Sequence, residues 1–431
     1  MRLRRQGKRA LIAACAVVLA ALVTSACTGP AHELVPGPTQ ANGSLPLGVE
    51  KQLKTAVTDA MKLADASGAI AGVWAPWSGS WTAAEGTTAR KGGKPMTTQM
   101  RFRIGQNTRS MTCTVLLALV DAGTVKLDDP VTKYLPDMSD VDDITLEQLC
   151  RNTAGIGDYT TALAAQFVNN PTRSWPQMEL LTDGLAEARP GRPGEKFSSS
   201  DAGYFLLGLA LQRASGTSWT ELYQKYIFDR LGMTASSFPE SNPFSFAGTH
   251  PQGYATALEA SGSPRCGTVL TETNLSASMA WTAGGVISSL ADMRVYAQAL
   301  AAGALVSPQS KKAQWATVAL GGDAPTWEGY GLGVETFGPL RGHSGQIPGF
   351  ITATLSEPKS GLTVVVMLNN SSPGAEFAQT LARQLASIAS KAPATKGSAP
   401  VIALPWSSEQ AAADLTGLAV CQQPATSTPA P

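Results

Sequence analysis

Apolar positions recur along this chain with two different periods, and the two are segregated. Val49, Leu53, Val57, Met61 and Leu63 fall at helical spacing along one side of residues 49–64. Residues 70–75 and 80–84 are short runs split by Pro76-Trp77-Ser78-Gly79, which predicts a β-hairpin. Residues 111–120 are mostly apolar, with Thr112 and Thr114 the only polar side chains, the pattern of a buried helix. Leu127-Asp128-Asp129-Pro130 predicts a turn into a short helix. Residues 144–149 predict another, with Thr145 as cap and Gln148 three residues on. Helices are expected over 204–214, stopped by Ser215-Gly216, and over 219–228. Strands return at 351–355 and 362–368, joined by a turn from Ser356 to Gly361, and 377–390 closes as a helix. Strands thus cluster at both ends and helices in the middle. The fold class this implies is α+β: an antiparallel sheet from both chain ends, flanked by helices, with an all-helical inserted subdomain. The α/β part would take about 46–100 and 278–392, and the helical part about 101–277, within one domain over 46–421.

The first residues read as an address. Arg2, Arg4, Arg5, Lys8 and Arg9 precede an apolar core over 10–22, the length of a secretory signal and too short to span a bilayer stably. Small residues then lead to Cys27, which resembles a bacterial lipobox. That resemblance implies a signal peptide over 1–26, diacylation at Cys27 and tethering to the outer face of the bacterial cell membrane. Ordinary signal cleavage with an incidental cysteine is the alternative. Acyl chains would hold firmly, since each buried CH₂ contributes about 0.8 kcal/mol. Residues 27–45, rich in Pro, Gly, Ser and Ala, predict a flexible tether, and 422–431 a disordered tail.

Charge and cysteines narrow the classes. A net charge of +1 gives no footprint for nucleic acid. His32, His250 and His343 are scattered without a ligand motif, so neither a metal nor a cofactor is expected. Cys113, Cys150, Cys266 and Cys421 form an even set in an exported chain, which suggests two disulfides with three connectivities open.

The run Phe102-Arg103-Ile104-Gly105-Gln106-Asn107-Thr108-Arg109-Ser110, followed by an apolar helix, resembles the nucleophile segment of the serine β-lactamase and penicillin-binding-protein family. The similarity is to its class C and D-alanyl-D-alanine carboxypeptidase-like branch. It continues, in the family's order, through 125–131, 144–155, the Pro193–Asp201 stretch, Ala283-Gly284-Gly285-Val286 with Ala291-Asp292-Met293, Tyr330-Gly331-Leu332-Gly333 and Gly342-His343-Ser344-Gly345. The resemblance also favours pairing Cys113 with Cys150 and Cys266 with Cys421.

The family's chemistry needs a Ser nucleophile, a Lys three residues on and a Tyr to move the proton. Carried over, the Ser slot holds Gln106, the Lys slot Arg109, the Tyr slot Ser199 and the Asn slot Asp201. A carboxamide is no nucleophile, and a guanidinium stays charged and cannot act as a base. Loss of such a nucleophile costs on the order of a millionfold in turnover. The implied oxyanion-hole donors, the N–H groups of Gln106 and Gln346, survive because they are backbone, so a carbonyl or carboxylate is expected to dock there. Arg109 and Asp201 are expected to form a bidentate pair that fills the old site.

The ligand-binding set is therefore Gln106, Arg109, Ser199, Asp201, His343, Ser344, Gly345 and Gln346, with a cell-wall peptide, a glycan or an envelope protein as partner. Three readings stay open: a non-catalytic lipid-anchored binder; a hydrolase using a relocated Ser199, Ser200 or Ser110, or acting on an unusually labile ester, with His343 as a candidate base for Ser199 or Ser200; and a structural lipoprotein with a filled cleft. The literal Ser356-x-x-Lys359 lies in a hairpin turn with Pro358 inside it, which speaks against a nucleophile there. Trp74, Trp77 and Trp81 are weighed as sheet packing against sugar stacking.

Overall fold

The structure, a computed structural model, describes residues 37–239, 244–245 and 247–421. The signal segment, Cys27, most of the tether and the tail over 422–431 lie outside the described residues. The chain divides into Met1–Glu33 and Leu34–Pro431, and the second unit holds everything below.

Seven antiparallel strands form the sheet, in the order Gly79–Gly86, Gly68–Ala75, Thr363–Leu368, Phe350–Ser356, Leu340–Ile347, Glu335–Phe337 and Glu328–Tyr330. The N-terminal hairpin therefore sits beside strands from the far end of the chain, with Ile70 opposite Met367. Both faces are covered, which is why Thr363–Leu368 reads as a continuous apolar run. Its side chains still alternate: Val364, Val366 and Leu368 enter one core, Val365 and Met367 the other. Helices Leu47–Leu63, Ala375–Ser390 and Ser408–Gly417 close the first core, and the helical part closes the second.

Helix Asn107–Asp121 runs through that second core and is buried from Asn107 to Leu119. Helix Leu146–Cys150 has the expected capping box between Thr145 and Gln148. Gly216 ends helix Asp201–Ser215 in the left-handed conformation at φ 64°. The disulfides join Cys113 to Cys150 and Cys266 to Cys421.

Several details differ from the sequence expectation. The inserted span also carries strand Arg101–Arg103, paired with Ile287–Ser289, and a two-stranded ribbon of Tyr254–Leu258 with Pro264–Thr271. The ribbon's second strand is exposed and lacks clean apolar alternation, so it gave no periodic signal. Residues 40–45, assigned by composition to the tether, lie against the first hairpin. Ala41 N–H donates to Pro76 O at 2.8 Å, Leu45 N–H to Ser80 O at 3.1 Å, and Leu45 is buried. Helix Trp219–Tyr223 passes into a π turn over Gln224–Phe228. The tryptophans pack: Trp74 and Trp81 are buried in the two cores, and Trp77 Nε1–H donates to Ala392 O at 2.8 Å.

Candidate active-site cleft

The site begins with a close approach of two backbones. Gly105 has φ 53°, and a Cβ there would lie 2.5 Å from Gln346 N. A Cβ on Gly345 would lie 2.2 Å from Ile104 O. Only bare backbone at both positions lets strand Leu340–Ile347 touch the start of helix Asn107–Asp121. Gly345 thus serves packing and is not among the cleft-lining residues, contrary to its place in the expected binding set.

Gln106, just before the helix, faces the strand across this junction. Its side-chain Oε1 accepts the Gln346 N–H at 2.7 Å. The expected carbonyl site on Gln346 is therefore occupied by the protein's own carboxamide, and the second donor, Gln106 N–H, has no partner among the described residues. The same strand edge is capped once more: Ser344 N–H and Oγ–H donate to Glu335 Oε2 at 3.0 and 3.2 Å. Pairing with the short neighbouring strand stops at Gly342, so Ser344 and Gln346 are edge positions whose outward N–H groups both meet side chains.

Arg109 lies one helical turn beyond Gln106, 5 % exposed. Its Nη2 pairs with Asp201 Oδ1, and its Nη1 donates to Ser199 Oγ at 2.8 Å. The guanidinium is shared between two residues, so the expected bidentate fork on Asp201 does not form; Ser199, short enough to leave room, takes the other arm. The Tyr204 ring lies 5.0 Å from the Arg109 guanidinium carbon. Burial opposes the Arg109 charge, but Asp201, with Tyr330 and Tyr204, outweighs it and holds the pKa above the ordinary value.

The other candidate hydroxyls are spent on structure. Ser200 caps helix Asp201–Ser215: its Oγ accepts from Gly203 N–H at 3.0 Å and donates to Gly157 O at 2.8 Å. Ser110 is fully buried, donating to Asn107 O at 2.7 Å and accepting from Tyr296 at 2.9 Å. His343 Nδ1–H donates to Ser344 O at 2.5 Å, the tautomer that leaves Nε2 to accept from Tyr330 Oη at 3.2 Å. Burial, with Arg109 nearby, pushes His343 down to about 3, so it is neutral and its lone pair faces Tyr330. It is not bonded to Ser199 or Ser200. Ser356 bonds Thr363 beside the 356–361 turn, remote from the cleft.

A cleft of about 630 Å³ remains above these groups, lined by Gln106, Arg109, Ser199, Asp201, His343, Ser344 and Gln346, among others. It also takes in two carboxylates outside the residues expected from the sequence, Asp158 and Glu335. Burial, reinforced by Asp201, pushes Asp158 up to about 6. Burial pushes Glu335 up to about 7 against the Ser344 bonds. Asp158 lies three residues after Gly155 and Glu335 two after Gly333, and acids flanking glycine-rich site segments were the signal in the sequence. Among the described residues no group of His, Cys, Asp and Glu is arranged to hold a metal ion.

A family model described as Beta-lactamase matches residues 53–389. PbpX of Bacillus subtilis, which carries the name of a penicillin-binding protein, is 26% identical over 281 residues, 64% of this chain and 64% of that protein. The D-alanyl-D-alanine-carboxypeptidase/endopeptidase AmpH of Escherichia coli is 34% identical over 145 residues, 32% of this chain and 37% of AmpH. The match thus spans less than two thirds of either relative. A D-stereospecific amidohydrolase from Streptomyces sp. superposes with a TM-score of 0.64 at 26% identity, covering 75% of this chain and 93% of that one.

Proposed function

This chain belongs to the Beta-lactamase family, and we propose that within it the chain is a non-hydrolytic binding protein of the cell envelope. The observation that carries this is the Gln106 carboxamide on the Gln346 N–H. The residue in the nucleophile slot cannot attack an acyl carbon, and it fills half of the hole that would stabilise the attack. Arg109 in the Lys slot is ion-paired and permanently charged, and Ser199, the hydroxyl nearest to it, receives a hydrogen bond from a group that cannot accept its proton. The open cleft supports a ligand-binding role over a purely structural one.

In this reading Cys27 carries the lipid anchor, the protein faces outward from the bacterial cell membrane, and the ligand comes from the wall or from another envelope protein. Among the described residues no helix is long and apolar enough to cross a membrane.

Intact-mass spectrometry after exposure to a penicillin and to a fluorophosphonate tests the loss of hydrolysis. The expected result is an unmodified mass. A covalent adduct would overturn the reading, and peptide mapping would then name the serine. The Gln106→Ser/Arg109→Lys double variant alongside reports whether restoring the slots is enough for acylation.

A further inference from the structure

The groups lining the cleft do not balance in charge. Among the described residues Arg109 is its one cationic side chain, and Asp201 and Ser199 already engage it. Facing it are three carboxylates, Asp158, Asp201 and Glu335. His343 is neutral, and the Gln346 N–H that would receive an anionic or carbonyl oxygen is taken by Gln106.

Two carboxylate oxygens are left open. Asp201, whose side chain is only 7% exposed, gives Oδ1 to Arg109, and its Oδ2 has no donor among the described residues. Glu335 gives Oε2 to both Ser344 bonds, which leaves Oε1 with only the neutral His343 ring, 3.8 Å away. These oxygens belong to a cleft that Phe167, Val168, Leu258, Met279 and Ile347 also line with apolar surface. Arg109 answers the charge of Asp201 but not that of Glu335, and a carboxylate in partly dry surroundings without a counter-charge is costly, a cost that an ammonium seated beside it relieves. Burial raises both Asp158 and Glu335, with Asp201 adding to it at Asp158, and a cation beside either group would lower it again.

We infer that the cleft selects a cationic ligand, a primary ammonium carried on an apolar body, with the ammonium between Asp201 Oδ2 and Glu335 Oε1 and the body against the Phe167–Met279 wall. This rests on the reading that the cleft binds a ligand without cleaving it. It reverses the sequence expectation of a carbonyl or carboxylate on Gln346, and Gln106 and Glu335 decide the change.

The test compares benzylammonium, benzyl alcohol and benzoate, which share a body and differ in charge. Their binding to the compact unit Leu34–Pro431 is measured by saturation-transfer NMR at matched ionic strength. Benzylammonium is expected to bind at least about tenfold more tightly than benzyl alcohol, a factor equivalent to about 1.4 kcal/mol, and benzoate not to bind. Glu335→Gln and Asp158→Asn, each checked by thermal melting to remain folded, are each expected to weaken benzylammonium several-fold and to leave benzyl alcohol unchanged. Equal binding of the three probes, no binding of benzylammonium, or indifference to both substitutions would overturn the inference. A penicillin adduct would instead defeat the non-hydrolytic reading, leaving the charge selection as a substrate preference.

Discussion

Arg109 and Asp201 carry opposite charges at sites 5 % exposed each, and neither has another charged partner in an ion pair among the described residues. Removing one charge leaves the other buried and unpaired, a loss of about 3–5 kcal/mol. Asp201→Asn is therefore expected to lower the urea midpoint sharply, while Asp201→Asn combined with Arg109→Met recovers much of the loss. A double-mutant cycle with no coupling between the two would show that the pair is not what stabilises the altered site. The four slot residues were legible because side-chain chemistry at a motif position can be read directly: a carboxamide, a guanidinium, a hydroxyl and a carboxylate. Their partners were not. That Gln106 turns onto Gln346, 240 residues away, and that Arg109 divides itself between Ser199 and Asp201 depend on distances no sequence states.

At the scale of elements, the junction between helix Asn107–Asp121 and strand Leu340–Ile347 sets the geometry of the site. A methyl group at Gly345 would need the strand to move away from Ile104 O, since a Cβ there falls at 2.2 Å. Gly345→Ala is expected to cost about 1–3 kcal/mol by overpacking, read as a lower melting temperature. The same displacement lengthens the Gln106–Gln346 bond, so faster hydrogen exchange at the Gln346 amide checks the mechanism separately from the stability. Elements with strong periodicity, helix Leu47–Leu63 and strands Phe350–Ser356 and Thr363–Leu368, were legible because one or both faces are buried in the period that their backbone imposes. Helix Ser408–Gly417 was not: only Ala411 and Leu415 are buried, too few to mark a face, and it is held by packing on the helix Ala375–Ser390.

For the whole molecule, pH acts through buried acids without counter-charges. Glu272 is 0% exposed, its Oε1 and Oε2 have no hydrogen-bond partner among the described residues, and burial pushes it up to about 8 from 4.5. The folded state therefore holds this proton more tightly than the unfolded chain does. The associated stability is fully present below about pH 4.5 and is lost as pH rises through about 8, an effect on the order of a few kcal/mol. Wild-type protein is thus expected to melt lower at pH 9 than Glu272→Gln does, with the difference shrinking or reversing at pH 4; a constant offset across that range would exclude Glu272 as the cause. The order of motifs along the chain carried the resemblance to the family, the periodicity of apolar positions gave the antiparallel sheet from both chain ends, and the residue types put Gln106 and Arg109 at the Ser and Lys slots, because periodicity and side-chain chemistry are local and are written in the order of residues. The tertiary structure alone decided what the altered site became. Filling of the Gln346 donor, the division of Arg109 between two partners and the surplus of Asp158, Asp201 and Glu335 over one cation all arise from contacts between distant segments. Those contacts are fixed by how two backbones approach at Gly105 and Gly345, and they exist only once the sheet has brought the two ends of the chain together.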